Sequence, residues 1–122
     1  MGEAMTVGAS DTPLIPQPPA SIPALQQAVR RIAPAALPAF TRELQEAAES
    51  ARAGSDLAPL SQFTVHWSVY VYIQRHPRLA GRLRRLEDAA ERGTAEEARE
   101  AATGIGKLLD EALAAVRGGG TP

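Results

Sequence analysis

The 122-residue chain contains no cysteine, which excludes disulfides, thiolate metal sites and a cysteine nucleophile. It has a single lysine, Lys107, so nearly all of its positive charge is arginine. Neither sign of charge dominates. The net charge is −1, and no global field draws the chain toward nucleic acid or an anionic membrane. Long apolar runs are missing too, and the longest falls far short of the ~18 residues of a membrane span. The N-terminus lacks the basic start and continuous apolar segment of a secretory signal. These absences lead us to expect a cytoplasmic protein without a membrane partner.

What is present looks like an ordinary globular domain. Hydrophobic residues make up 44% and charged residues 22% of the chain, and this length fits one domain with a real core. Residues 1–20 hold Pro13, Pro16, Pro18 and Pro19 among small and polar residues, a composition that predicts a disordered, Pro-rich tail. Gly118, Gly119 and Gly120 predict a second disordered tail over residues 118–122. Between them, residues 21–117 read as a single helical domain of five segments.

The first segment is capped by Ser21 and carries Ile22, Leu25, Val29 and Ile32 at helical spacing. The second starts near Pro34 or Pro38, buries Leu37, Phe40, Leu44, Ala47, Ala48 and Ala51, and breaks at Gly54 and Ser55. The fourth follows Pro77 with a Leu79, Leu83, Leu86 and Ala90 stripe and stops at Gly93. Thr94 and Glu97 form a capping box for the fifth. Its stripe runs Ala98, Ala101, Ala102, Ile105, Leu108, Leu109, Ala112, Leu113 and Val116.

The third segment is ambiguous. "FTVHWSVYVYI", Phe63 to Ile73, alternates apolar and polar side chains and is rich in β-branched and aromatic residues, as a half-buried strand would be. Its boundaries say helix: Asp56 is a good N-cap, Pro59 fits a first turn, and His76-Pro77 is a stop. A strand would also need a partner to satisfy its backbone, and no other segment reads as one. Only the same segment in a homodimer could supply it, as a two-stranded ribbon. The helix over Leu57–Arg75 is the stronger reading, with Leu60, Phe63, Trp67, Tyr70 and Val71 facing the core.

Chemistry-bearing patterns are sparse. His66 and His76 are too far apart to grip a metal together, and no carboxylate stands at ligand spacing to either. A Ser61, His66 and Asp56 triad lacks any turn motif to present the nucleophile. "ATGIGKLL" ends like a phosphate loop, but Ala101 and Leu108 occupy the first-glycine and hydroxyl positions and no strand precedes it. Gly104 and Gly106 there read instead as sites of close helix packing or a kink. No metal, cofactor or catalytic residue is therefore expected.

One charge feature stands out. In "RHPRLAGRLRR", Arg75, Arg78, Arg82, Arg84 and Arg85 occur without a single acid, and all five are candidate partner- or phosphate-binding residues. Arg78, Arg82 and Arg85 would line one flank of the fourth helix and could engage phosphates or an acidic protein surface. The blander alternative, which composition favours, is a solvated face whose arginines pair with Glu87, Asp88, Glu91 and the acids of the fifth helix. Glu43, Glu46 and Glu49, and Glu96, Glu97 and Glu100, form acidic patches, and segregated patches of both signs suit protein–protein recognition.

"PAFTRELQEAAESA…SDLAPLSQFTVHW" is similar in layout to a family of small, uncharacterised helical actinobacterial proteins often found beside RelE-type toxins. The likeness covers roughly residues 24–80 and rests on Phe40, Leu44, Asp56, Leu57, Leu60 and Trp67. It implies an antitoxin-like role and favours helix over strand for the third segment.

The sequence thus predicts an all-α fold, a compact bundle of four to five helices around the third, with Phe40, Leu44, Leu60, Phe63, Trp67 and Val71 in its core. The expected function is a non-enzymatic interaction module, antitoxin-like or regulatory, whose partner is a protein such as a toxin. The alternative is a DNA-binding transcriptional regulator, as a dimer if need be, that sets Arg78, Arg82 and Arg85 on phosphates. The third is a small-ligand binder or enzyme with a polar pocket around His66, Tyr70 and Tyr72.

Overall fold

In a computed structural model, which describes residues 12–118, five helices follow one another with no strand among the described residues. They are α1 (Ile22–Ile32), α2 (Leu37–Gly54), α3 (Ala58–Gln74), α4 (Pro77–Arg92) and α5 (Ala95–Arg117), with a 3-10 turn at Pro34–Ala36. The ambiguous segment is helix, so the dimer-paired ribbon does not form. α3 contacts every other helix, with α1 and α2 in one group and α4 and α5 in the other. Phe63, Trp67 and Val71 join the core with α1 and α2, while Ile73, Val69 and Tyr72 join the core with α4 and α5. A helix clad on opposite sides has no polar face left for a 3.6-residue rhythm. The alternation of "FTVHWSVYVYI" therefore carried no information about a pleat.

Local chemistry sets the boundaries. Ser21 Oγ accepts from the Ala24 amide at 3.3 Å to cap α1. Pro34 opens the 3-10 turn and Pro38 sits in the first turn of α2, so both prolines are helix starters. α2 includes Gly54 and ends with Ser55 in the left-handed region, at φ 51°. The N-cap of α3 is Leu57, one residue after the expected Asp56, whose Oδ1 still accepts from the Ala58 amide at 3.0 Å. The capping box of α5 is present in full, with Glu97 N to Thr94 Oγ1 at 3.1 Å and Thr94 N to Glu97 Oε1 at 2.9 Å.

Of the predicted core, Phe40, Phe63, Trp67 and Val71 are buried, Leu44 packs against them half-buried, and Leu60 is half-buried in the first turn of α3. The stripe on α5 is narrower than its sequence suggested: Ala101, Leu108 and Ala112 are buried, whereas Ala102 is exposed and Leu109 is 40% exposed.

The N-terminal tail differs from expectation. Residues 1–11 and 119–122 lie outside the described residues, but residues 12–20 form an extended strap laid on the bundle. Ile15 enters the α1–α2–α3 core, and Gln17 Nε2 donates to the Ser68 carbonyl at 3.2 Å. The prolines that suggested a solvated tail instead keep this segment out of helix, and the chain bends at Leu14 and Ile15, where the Leu14 amide bonds the end of α3 and Ile15 is buried.

Of the two glycines of α5, only Gly104 makes the close helix packing expected of them. A Cβ on Gly104 would lie 3.1 Å from Leu86 Cδ2, so this glycine lets α4 and α5 approach. A Cβ on Gly106 would meet nothing within 4 Å. Gly106→Ala is expected to raise folding stability by about 1 kcal/mol, the helix-propensity difference. Gly104→Ala should gain less or lose, since Leu86 must yield; urea denaturation of both variants measures the contrast.

Candidate functional site

The last turn of α3 and the first two turns of α4 build the site. His76 precedes Pro77, which disfavours helical backbone, so the chain turns there with His76 extended at ψ 99°. α4 then starts at Pro77, with the positive end of its dipole at the turn. Tyr72, His76, Pro77, Arg78, Leu79, Arg82 and Arg85 line a recess of about 350 Å³. Among the described residues that line it there is no acid.

The five arginines of the sequence motif do not form one patch. Arg78, Arg82 and Arg85 line the recess, as the helical spacing predicted. Arg84 lies on the neighbouring shallow groove with Gly81, Arg85, Glu87, Asp88 and Glu91. Arg75 is not a surface residue: it is 1% exposed. Its Nε donates to the Ile15 carbonyl at 2.8 Å, and its own carbonyl accepts from the Leu14 amide at 2.7 Å. The guanidinium also stands 5.9 Å from the Tyr72 ring centroid, and NH1 meets His76 Nε2 at 3.4 Å. Burial lowers its pKa from the ordinary arginine value while Tyr72 works in the opposite direction, and no carboxylate among the described residues forms an ion pair with it. Arg75 is thus the clamp that ties the strap to α3, and its assignment to a binding surface is corrected.

His76 Nδ1 lies 2.7 Å from the Tyr72 carbonyl. A carbonyl only accepts, so Nδ1 carries the hydrogen, and in the neutral ring Nε2 is an acceptor for Arg75. The expected surface ion pairs are mostly not made. Asp88 pairs with Arg92 at 3.3 Å, but among the described residues no carboxylate is within ion-pair distance of Arg82, Arg84 or Arg85. The arginine face is therefore less self-neutralised than its composition suggested.

Tyr70 and Tyr72 do not join His66 in one pocket; His66 instead lines an open groove with Glu43, Glu46, Ser50 and Gln62. Tyr70 stacks edge-on against Trp67, with ring centroids 4.9 Å apart, whereas Tyr72 packs with His76 at 4.8 Å in the other half of the molecule. His66 is exposed, and its Nε2 lies 3.9 Å from Glu43 Oε1. That same oxygen accepts from Trp67 Nε1 at 3.0 Å, a link between α2 and α3 that sequence reasoning missed. No group of three or more His, Asp or Glu residues able to hold a metal occurs among the described residues. No described helix is long and apolar enough to cross a membrane.

Burial raises the pKa of the Tyr70 phenol above its ordinary value. Its neutral form is favoured by folding, so this contribution is intact below pH ~10 and is lost as pH rises through the folded-state value. Wild-type protein is expected to lose stability above that pH, and Tyr70→Phe to lose less, as urea midpoints across an alkaline series would report.

No protein-family model matches the chain, and neither a curated protein nor a solved structure does.

Proposed function

We propose that the chain is a non-enzymatic interaction module, antitoxin-like or regulatory, that masks a partner protein's surface by docking the α4 arginine flank against it. The observation that carries the reading is the recess lined by Arg82 and Arg85, which has no acid among its described lining residues. The acids of α4, Glu87, Asp88 and Glu91, fall on the neighbouring groove, and the other acidic patches are Glu43, Glu46 and Glu49 on α2 and Glu96, Glu97 and Glu100 at the start of α5. A helix flank of one sign suits an acidic partner, with complementarity setting specificity and encounter rate. The exposed Leu109 on α5 offers an apolar contact beyond the flank. The layout shared with proteins beside RelE-type toxins makes a toxin the first partner to test, and a cytoplasmic location belongs to the same proposal.

The same arginines also favour a second reading, a DNA-binding regulator. The two differ in salt response, because phosphate neutralisation releases counterions and makes affinity fall steeply with salt. For a protein partner, the double reversal R82E/R85E is expected to weaken binding by roughly a hundredfold, as each change turns attraction into repulsion worth on the order of 1–2 kcal/mol. Surface plasmon resonance with a purified partner measures this. An unchanged affinity would remove the flank from the interface.

A further inference from the structure

We propose that the recess between Tyr72, His76 and the first two turns of α4 binds a phosphomonoester, an organic group bearing a terminal phosphoryl dianion. Arg82 and Arg85 carry the recognition. They stand one turn apart on α4, both line the recess, and among the described residues neither has an ion-pair partner. Guanidinium forks take phosphoryl oxygens in pairs, so two of them can hold one dianion from adjacent edges. Behind the lining, the Arg75 guanidinium touches His76 Nε2 at 3.4 Å and contributes a fixed charge with no carboxylate ion-paired to it among the described residues. The dipole of α4 has its positive end here as well, and phosphate groups favour that end of a helix.

The rest of the lining selects against a bare ion. A recess of about 350 Å³ falls within the size of small-molecule sites. Tyr72, Pro77 and Leu79 give it an aromatic and apolar wall beside the arginines. That wall has no use for inorganic phosphate but would cover the organic part of an ester. The neighbouring groove shows the contrast: there Arg84 and Arg85 share the surface with Glu87, Asp88 and Glu91, which would repel an anion.

Such an ester could be a free small molecule or a phosphorylated side chain on the partner protein. In the latter case the inference rests on the docking reading and deepens it. The test is calorimetric titration of the full chain with phenyl phosphate, inorganic phosphate, benzoate and a short phosphotyrosine peptide. Saturable binding at one site is expected, with phenyl phosphate roughly tenfold tighter than inorganic phosphate or benzoate. R82Q/R85Q should weaken phenyl phosphate by at least roughly tenfold, while R84Q stays within about twofold. Circular dichroism checks that both variants keep their helices. A peptide tighter than phenyl phosphate assigns the site to a partner's side chain, and equal affinities assign it to a free ester. Absence of saturation, benzoate binding as tightly as phenyl phosphate, or equal losses in R84Q and R82Q/R85Q would overturn the proposal. No partner protein enters this titration, so its failure would leave the docking reading standing.

Discussion

Phe40→Ala is expected to remove about 3–5 kcal/mol of folding stability, the cost of deleting a large aromatic from a packed core. Phe40 is 0% exposed and belongs to α2. Its ring meets Phe63 at 5.0 Å and Trp67 at 5.1 Å, both edge-on, so one side chain joins α2 to two turns of α3. Each edge-to-face pair adds about 0.5–1.5 kcal/mol beyond buried area. The aromatics are few and lie mostly on α3, leaving α2 without another ring to take over. Urea denaturation followed by circular dichroism and Trp67 fluorescence checks the loss. A cost below about 1 kcal/mol would mean that this cluster is not the core of the α1–α2–α3 half.

Arg75→Ala is expected to cost about 1.5–3 kcal/mol and to loosen the strap. The substitution removes the 2.8 Å bond to the Ile15 carbonyl and the packing of the arginine stem. Part of that loss is offset, because burial works against the charged guanidinium, as its lowered pKa records. Arg75→Met keeps the stem and removes the charge, so it should fall between wild type and alanine. Hydrogen exchange at the Leu14 amide, which donates to the Arg75 carbonyl, is the local readout. Exchange should accelerate in both variants even though that carbonyl remains. Unchanged protection in both would assign the strap's hold to Ile15 burial alone.

The elements of the fold were legible where one residue type has one local use. Ser21, Pro38, Pro77 and the Thr94–Glu97 pair each act at a helix start, and the structure uses them so. The period-two pattern of Phe63–Ile73 misled because α3 is buried on opposite sides, which only the partners of a segment can reveal. The strap was hidden for a related reason. Leu14 and Ile15 are two apolar residues among prolines, and composition cannot say whether such a pair meets a core or stays in water. The recess was half legible. Helical spacing put Arg78, Arg82 and Arg85 on one flank, but Arg75 shares their charge and neighbourhood in sequence while ending α3 facing inward. Its role depends on contacts with residues 60 positions away, beyond the reach of any local pattern.

The central claim is that the α4 arginine flank docks a partner protein. Its most direct test is a tagged pull-down from native host lysate, with and without nuclease, comparing wild type with R82E/R85E by mass spectrometry. The account predicts a stoichiometric protein that survives nuclease with wild type and is lost with the double reversal. Recovery of nucleic acid, or a partner that disappears on nuclease treatment, would contradict it and assign the flank to phosphate-backbone binding.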